Sequence, residues 1–386
     1  MFIYLLLLYN SVMGPYFTTR DGKINYKGNK LFSPLKDILS YNYPEDFEDR
    51  VKNLSTNKMW KHIAKINHSI NFSANNYFSK MNALFTPLPL TTRMISSPGA
   101  VYGREAINYT TDTCPITLKW FDLSKEAFLA ESSQIYLELA LLQDNINHVY
   151  AMYNSFRKEK ADATHLSEFH HIEYEGKVSQ TKNKEIIKGL VHKIINYLLV
   201  NNEESLSHFL KNKKLKDLNN LREGKFKEIK FSEALESLYD DTKQDKYKSF
   251  TLKNFGSWEE IRLTEIFNGV VAISNFPLLE VPFYHAVVYN SNPAVAENTD
   301  FIWPGYREFI GSGHRVRSLS ELEEKAKIFN LPKNDYLPYL ESRKSNKYTQ
   351  TSGFGLGWER FLQGLLEMPF IWSAVQFPRG HTNLRP

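Results

Sequence analysis

The spacing of hydrophobic residues in the first half of the chain predicts two helices, an interrupted strand and a β-hairpin. The first helix is predicted from about Ser55, with Ser55 or Thr56 as its N-cap, because apolar residues then recur at helical spacing. Those residues are Ile63, Ile66, Ile70, Ala74 and Tyr77. The segment FTPLPLTTR, with Pro87 and Pro89, ends this helix and fits only an edge strand. A second helix is predicted from about Ser133, before two alternating segments, HVYAMYNSF and EFHHIEYE, that are typical of an antiparallel hairpin.

Segment 177–262 is rich in lysine and asparagine and contains an amphipathic helix. The apolar positions of that helix are Ile187, Leu190, Val191, Ile194, Ile195 and Leu198. We interpret the segment as a helical, lysine-rich insert, whose basic run is either a solvated helix face or a surface for RNA or another partner. Residues 1–54 form an extension that lacks the regularly spaced strands of a five-stranded RNA-binding barrel.

Near the C-terminal end, the segment GFGLGWER places glycines at every second position, namely Gly353, Gly355 and Gly357. Glycine weakens a strand, so this pattern indicates a strand that a ligand or another backbone approaches closely. A helix is predicted next, because Trp358, Phe361, Leu362, Leu365 and Leu366 repeat at helical spacing. Arg360 at the join is well placed to bind a phosphate.

Two carboxylates precede this strand. Asp300 and Glu308 are separated by a turn sequence that contains Pro304 and Gly305. The spacing predicts two antiparallel strands whose carboxylates face one site. Oxygen ligands of this kind, shared with a triphosphate, usually hold Mg²⁺. The alternative is ordinary surface charge.

The predicted hairpin also carries a group of residues suited to ATP. Arg157 and Glu159 follow its first strand, and Phe169 lies at the start of its second strand. An arginine can bridge a carboxylate and the α-phosphate, a glutamate can accept a hydrogen bond from the adenine amino group, and an aromatic ring can stack on the base. The alternative for Arg157 is a surface salt bridge.

The composition is that of a folded globular protein. The chain has 386 residues, of which 24% are charged and 14% aromatic, and its net charge of +5 permits an RNA or nucleotide partner. A single cysteine, Cys114, cannot form an internal disulfide, which favours a cytoplasmic location. The apolar run near Met1 is shorter than the roughly twenty residues of a membrane span and lacks signal-peptide features, so no membrane association is expected.

Taken together, these motifs resemble the catalytic core of class II aminoacyl-tRNA synthetases, in the asparaginyl/aspartyl branch. SSQIYLE, FRKEK and HLSEFHHIEYE resemble the second family motif, and GFGLGWER with the later FPR resembles the third. The helix from Ser55 and the strand after it resemble the first motif, which forms the dimer interface in that family. The resemblance implies an α+β fold with an antiparallel sheet flanked by helices, a catalytic domain over 55–386 that includes the insert, and a homodimer.

The resemblance also implies roles for individual residues. Arg157 and Arg360 would be catalytic, and ATP would be bound by these two residues together with Glu159, His165, Phe169, Gly355 and Gly357. The amino acid would be bound by Ser132, Gln134, Leu137, Ser312 and Arg315. Asp300 and Glu308 would hold Mg²⁺. Aspartyl enzymes have a lysine where this chain has Leu137, so the pocket resembles the asparaginyl branch in this respect.

Three positions depart from the family pattern. The family usually has an arginine directly before the histidine of the second-motif loop, where this chain has Thr164 before His165. A family lysine corresponds to Val281. A family glutamate that meets the substrate amino group has no certain equivalent here, and Glu105 is a remote candidate.

Three functions are compatible with this pattern. The favoured one is an ATP- and Mg²⁺-dependent ligase that activates aspartate or asparagine as an acyl adenylate and passes it to a small amine, as in the asparagine synthetase-like paralogues. The alternatives are an asparagine–tRNA ligase, in which tRNA is the acceptor, and a non-catalytic protein that binds an amino acid or a nucleotide. The apparent lack of an RNA-binding barrel favours the first, because tRNA recognition needs base readout.

Overall fold

The computed structural model describes residues 16–18, 24–26, 29–32, 50–96, 115–158, 164–222, 226–368, 370–380 and 384. The strands are β1 (Tyr16–Thr18), β2 (Ile24–Tyr26), β3 (Asn29–Phe32), β4 (Leu84–Phe85), β5 (Thr91–Thr92), β6 (Ile116–Leu118), β7 (Ala127–Leu129), β8 (His148–Phe156), β9 (Glu168–Gly176), β10 (Lys227–Lys230), β11 (Val271–Ser274), β12 (Asn298–Ile302), β13 (Glu308–His314) and β14 (Ser352–Gly357). The α-helices are α1 (Arg50–Thr56), α2 (Met59–Lys80), α3 (Gln134–Ala140), α4 (Gln180–Asn201), α5 (Glu203–Phe209), α6 (Asn212–Arg222), α7 (Phe231–Thr242), α8 (Ser257–Phe267), α9 (Leu319–Ile328), α10 (Lys333–Glu341) and α11 (Trp358–Leu365).

The main sheet has eight strands in the order β10-β11-β12-β13-β14-β9-β8-β4. Neighbouring strands are antiparallel except at the two edges, where β10 is parallel to β11 and β4 is parallel to β8. The predicted hairpin is confirmed as β8 and β9, which pair along their whole length. The prediction of an antiparallel sheet flanked by helices is therefore confirmed.

Helices α2, α4 and α11 cover one face of the main sheet. Their apolar residues, such as Ile63, Leu190 and Leu362, belong to one buried cluster that also contains Phe354 and Leu356 of β14. Burial of this apolar surface is the main favourable contribution to folding. Because this face is closed by helices, the large polar side chains of the central strands lie on the opposite face.

The helix predicted from Ser55 is in fact two helices. Ser55 and Thr56 end α1, and their hydroxyls donate to the carbonyl of Lys52, so neither residue caps the long helix. Helix α2 begins at Met59. The predicted N-cap was wrong because a hydroxyl near a helix end can bond backward to its own helix as readily as forward to the next one.

The apolar face of α2 is buried within its own chain. Ile66 and Ile70 have no exposed surface and pack in the same cluster as α4. Ile66 and Ile70 therefore cannot touch a partner chain directly, and the expectation that this helix lies in a dimer interface remains a prediction. Any dimer contact of α2 must use other residues.

Segment 177–262 is largely helical, as predicted, and is closely joined to the rest of the domain. The predicted amphipathic helix is α4, and all of its six predicted apolar positions are buried. Strand β10 extends the main sheet by pairing with β11. The segment therefore contributes to the central core and the sheet as well as to the surface.

The N-terminal extension contributes a small antiparallel sheet of β1, β2 and β3. The apolar run at the start of the chain, Cys114 and the candidate Glu105 lie outside the described residues. Within the described ranges, no helix has the length and apolar character needed to cross a membrane.

Candidate active site

Glycines on β13 and β14 leave one face of the main sheet accessible to large polar side chains. The apolar residues of β14 point into the helix-covered core, so the glycines between them open onto the other side. A Cβ atom on Gly353 would lie 1.9 Å from Glu175 Oε2 and 2.5 Å from Gln134 Nε2. A Cβ atom on Gly355 would lie 3.4 Å from Glu173 Oε1. The strand is closely approached, but by side chains of its neighbours where a ligand or another backbone was predicted. We call this side of β13 and β14 the glycine face.

The two carboxylates predicted to share a site converge on the glycine face. Asp300 lies in β12 and Glu308 begins β13, and the turn between them uses Gly305 with a φ of +74°. A Cβ atom on Gly311 would lie 2.7 Å from Glu308 Oε1 and 3.7 Å from Asp300 Oδ1. Burial raises the pKa of both carboxyl groups, and the charge of Glu308 raises the pKa of Asp300 further. Such a pair is stabilised by a cation.

A third carboxylate, Glu260 of α8, lies next to this pair and accepts a hydrogen bond from the backbone N–H of Glu308 at 3.3 Å. Among the described residues, however, no group of three or more His, Cys, Asp or Glu side chains is arranged to hold a metal ion. The residues fit Mg²⁺ in the manner that is usual for nucleotide sites, where one or two carboxylates act together with phosphate oxygens.

Two arginines predicted to bind ATP lie beside the acidic pair. Arg157 Cζ lies 5.9 Å from the centre of the Phe169 ring. Arg360 donates to the carbonyls of Glu308 at 2.9 Å and Thr164 at 3.1 Å, while its Nε is buried without a hydrogen-bond partner in the described part of the chain. Burial lowers the pKa of Arg360 to about 10. A buried cation with an unused donor is suited to an anionic ligand.

Two histidines lie beside these arginines. His165 Nε2 lies 3.0 Å from Arg307 Nη1, and His165 Nδ1 lies 3.2 Å from Thr164 Oγ1. Burial lowers the pKa of His171 to about 3, with a further decrease from the charges of Arg157 and Arg360. His171 is therefore neutral at physiological pH.

Arg315 is fully buried in an ion pair with Glu175. Its Nε and Nη2 atoms donate to the two carboxylate oxygens at 3.0 and 2.8 Å. The same carboxylate accepts hydrogen bonds from Gln134 Nε2 at 2.5 Å and from Thr351 Oγ1 at 2.7 Å. Burial opposes the charge of Arg315, but Glu175 outweighs this effect and raises the pKa of the guanidinium group. This arrangement places a guanidinium, a carboxylate and an amide side by side.

A second buried glutamate, Glu173, lies two residues before Glu175 on β9 of the hairpin. Glu173 Oε1 accepts a hydrogen bond from Ser132 Oγ at 2.7 Å. Its Oε2 atom is buried and accepts no well-formed hydrogen bond in the described ranges, although the Tyr153 hydroxyl lies close enough to favour the ionised form of Glu173. Burial raises the pKa of Glu173 to about 7. A buried carboxylate oxygen without a well-formed hydrogen bond is a site for a ligand donor, such as an ammonium group.

The structure does not bring every predicted substrate residue to this site. The hydroxyl of Ser312 donates to the carbonyl of Thr299 and accepts from Gln180 of α4, on the helix-covered face. Side chains alternate along a strand, and Gly311 already occupies the open side. Leu137 is fully buried in an apolar cluster with Leu141, so it contributes packing and no contact of its own to the polar group around Arg315.

Other predicted positions are placed as follows. Glu159 and Glu105 lie outside the described residues. Val281, which stands where the family has a lysine, packs in an apolar cluster beneath β11. At Gly357 a Cβ atom would meet only Arg360 Cβ, at 3.9 Å, so the backbone there is accessible.

Sequence reasoning missed Glu173 and Glu175, although a signal for them exists. The segment HHIEYEG places the two glutamates at alternate positions of β9. In the observed register, Glu173 pairs with Gly355 and Glu175 with Gly353. Alternating acids opposite alternating glycines would predict large polar side chains lying over the neighbouring strand.

Comparison with known proteins gives a consistent family assignment. The family model for class II tRNA synthetases (D, K and N) matches residues 43–381. The asparagine–tRNA ligase of Clostridium tetani is 32% identical over 261 residues, which are 66% of this chain and 55% of that protein. The asparagine–tRNA ligase of Clostridium botulinum (strain Langeland) is 30% identical over 320 residues, which are 80% of this chain and 68% of that protein. The chain thus spans little more than half the length of the first of these relatives.

Solved structures agree with this assignment. The asparaginyl-tRNA synthetase of Pyrococcus horikoshii in complex with asparaginyl-adenylate superposes with a TM-score of 0.77 and 26% identity, covering 90% of this chain and 76% of that one. The Entamoeba histolytica asparaginyl-tRNA synthetase, at 22% identity and a TM-score of 0.73 over 89% of this chain and 72% of that one, shares the fold. The chain therefore belongs to the class II tRNA synthetase family of the D, K and N type.

Proposed function

We propose that the chain activates asparagine with ATP to form asparaginyl adenylate and transfers the asparaginyl group to tRNA. The observation that carries this proposal is the buried Arg315–Glu175 ion pair. It lies on the same glycine face as the Asp300–Glu308 pair, next to which Arg157 and Arg360 lie. One end of this face suits a short polar side chain, and the other suits a metal-bound triphosphate. Substrates of an adenylate-forming ligase have these two parts.

The Arg315–Glu175 pair favours a carboxamide over a carboxylate. Arg315 would donate to a carbonyl oxygen, and Glu175 would accept from an amide N–H in place of one of its present donors, such as Gln134. A substrate carboxylate would instead approach the negative charge of Glu175 and offer it no proton. The side chain of asparagine matches both groups, and that of aspartate matches only one.

The substrate amino group would be held by Glu173 and the adjacent polar side chains. The Oε2 atom of Glu173 can accept from an ammonium group, and Ser132 and Gln134 fix the surrounding geometry through their own hydrogen bonds. This carboxylate supplies the function for which the sequence offers only the remote candidate Glu105.

ATP would bind along the hairpin and the start of α11. Phe169 presents a ring for stacking on adenine, with Arg157 beside it, and Glu159 remains our proposed acceptor for the adenine amino group. Gly357 would leave room for the nucleotide, Gly355 would contact it from beside Glu173, and Arg360 would bind a phosphate. His165 lies at the far end of this cluster, where the outer phosphates would lie.

Asp300 and Glu308 would hold Mg²⁺ against the triphosphate. The ion would neutralise charge that develops on the phosphate oxygens. The protein contributes two buried carboxylates that cannot both ionise easily without such a cation.

The proposed reaction needs no nucleophile or base from the protein. A carboxylate oxygen of asparagine attacks the α-phosphorus of ATP, the bond from that phosphorus to the bridging oxygen breaks, and pyrophosphate leaves. Arg157 and Arg360 would orient the two reactants and offset the negative charge of the transition state. A hydroxyl of the tRNA then takes the asparaginyl group, and AMP leaves.

The choice of acceptor follows the relatives. The curated relatives quoted above are named asparagine–tRNA ligases, which favours tRNA over the small amine expected from the sequence. A non-catalytic binding protein is disfavoured because Arg157, Asp300, Glu308 and Arg360, whose side chains suit the proposed chemistry, lie close to one another.

A homodimer and a cytoplasmic location belong to the same proposal. Three apolar side chains, Phe72 of α2 with Leu84 and Phe85 of edge strand β4, are 48%, 51% and 55% exposed. An exposed apolar edge strand is a natural pairing surface. One similar protein, from Vairimorpha ceranae, is named a probable cytoplasmic asparagine–tRNA ligase.

Pyrophosphate exchange and tRNA charging test the proposal. With ATP and Mg²⁺, the protein should exchange pyrophosphate with asparagine but not with aspartate, and it should form aminoacyl-tRNA when total tRNA is added. Arg360→Ala should abolish exchange while the circular dichroism spectrum stays unchanged. If no amino acid supports pyrophosphate exchange, the proposal is refuted. If an amide product forms from ammonium without tRNA, the acceptor is a small amine instead of tRNA.

A further inference from the structure

We propose that Arg307 binds the outer phosphates of ATP and takes the role of an arginine that is lacking at position 164. The inference rests on the proposed function, because it assigns one more residue to the same ATP site. It concerns a residue in the turn between β12 and β13, which no sequence motif singled out.

The backbone fixes Arg307 at the edge of the acidic pair. It lies directly before Glu308 and shortly after Gly305, and its carbonyl accepts a hydrogen bond from the N–H of Trp303 at 3.1 Å. Its side chain donates from Nε to Glu260 Oε2 at 3.2 Å. The guanidinium group is therefore held in place without a ligand, with much of its ordering cost already met.

The contact with His165 shows which group presents the positive charge. Arg307 can only donate a hydrogen bond, so His165 Nε2 must accept across the 3.0 Å contact. The ring proton is then on Nδ1, facing Thr164 Oγ1. Arg307 thus supplies a permanent cation at this end of the site.

The surrounding charges call for an anion of high charge. Arg360 donates to the carbonyl of Glu308, the residue directly after Arg307, at 2.9 Å, and to the carbonyl of Thr164, the residue directly before His165, at 3.1 Å. Two guanidinium groups held this close repel one another and are stabilised when a polyphosphate binds between them. The carboxylates of Glu260 and Glu308 offset part of this positive charge. A cation bound together with the phosphates is therefore compatible with the charge of the site.

The position of Arg307 also accounts for the departure at Thr164. In the related family an arginine directly precedes this histidine, and here Thr164 anchors the loop by accepting from Arg360 Nη2 through its carbonyl. A side chain from position 164 and one from position 307 both reach His165. The guanidinium group of Arg307, from the turn between β12 and β13, therefore lies beside His165. The side chain of an arginine at position 164 would lie beside the same histidine.

Calorimetric binding of MgATP and of AMP tests the inference. Arg307→Ala should weaken ATP binding roughly 10- to 100-fold, as expected for loss of a charge-assisted hydrogen bond, whereas AMP binding should not change because AMP lacks the outer phosphates. Arg262→Ala is the matched control, since Arg262 lies on α8 in exposed ion pairs with Asp241 and Glu265. This control should bind both nucleotides as the wild type does.

A rescue variant separates phosphate binding from a structural role. The double variant Thr164→Arg with Arg307→Ala should regain most of the lost ATP affinity, and Arg307→Lys should retain part of it. Arg307→Gln replaces the alanine variant if thermal melting shows that the latter is unfolded. Equal losses for ATP and AMP, or no loss for either, would overturn the inference while leaving the proposed function intact. A wild-type protein that binds no ATP would overturn both.

Discussion

The substitution Glu175→Gln removes the negative charge that balances Arg315 in the interior of the protein. Glu175 has 0% and Arg315 2% of the side chain exposed, so water cannot replace the lost partner. The two oxygens of Glu175 together receive hydrogen bonds from two atoms of Arg315, from Gln134 and from Thr351. A glutamine side chain has one carbonyl oxygen, and its NH₂ group would face two of these donors.

The expected cost follows from this geometry. Breaking a buried ion pair by removing one partner costs about 3–5 kcal/mol, because the remaining charge is left uncompensated. The retained carbonyl oxygen of glutamine can still accept from some of the four donors, which places the cost toward the lower end of that range. We therefore expect the free energy of unfolding to fall by about 3 kcal/mol.

Selectivity should change in the same variant. Loss of the acceptor charge removes the repulsion that disfavours aspartate, so the preference for asparagine over aspartate in pyrophosphate exchange should fall by at least roughly tenfold, which corresponds to about 1.4 kcal/mol. Urea unfolding measures the stability, and exchange with each amino acid measures the selectivity.

A surface glutamate provides the matched control. Glu228 accepts from Lys184 at 2.6 Å and from Lys188, but it is 41% exposed, so Glu228→Gln should cost only about 0–1 kcal/mol and leave selectivity unchanged. If Glu175→Gln has the stability of the wild type and discriminates against aspartate equally well, the reasoning about the buried pair is incorrect.

Three further predictions concern the metal, the amino group and the dimer. Asp300→Asn or Glu308→Gln should raise the Mg²⁺ concentration needed for pyrophosphate exchange, and an unchanged Mg²⁺ titration would remove these carboxylates from the metal site. The raised pKa of Glu173, about 7, means that the carboxyl group is neutral below this pH and charged above it. The KM for the amino acid should therefore fall as the pH rises through about 7, and this dependence should disappear in Glu173→Gln; a pH-dependent KM in that variant would assign the titration to another group. Phe85→Asp should shift a sedimentation profile from dimer to monomer, because the partner chain would bury an unpaired charge, and a dimer of unchanged affinity would place the interface elsewhere.

Much of the fold and part of the site were predictable from the sequence because they depend on local periodicity. Alternation in the two segments of the hairpin identified β8 and β9, and the glycine spacing identified β14 as a strand approached closely by its neighbours. The turn at Gly305 brings Asp300 and Glu308 together within a single pair of adjacent strands. Each of these features depends on residues close in the chain, where a spacing of two or 3.6 residues already determines the direction of a side chain.

The tertiary structure decided the contacts between distant segments. Arg315 and Glu175 are 140 residues apart, and Arg307 and His165 are 142 apart, so only the order and register of the strands bring them together. The same register turns Ser312 toward α4, and the packing of helix α3 buries Leu137 in an apolar cluster, so both lie away from the site that a motif alone would assign to them. A shift of one residue in the pairing of β13 would turn Ser312 to the opposite face. Local spacing thus determined which segments carry the chemistry, and the packing of the sheet determined which side chains meet there.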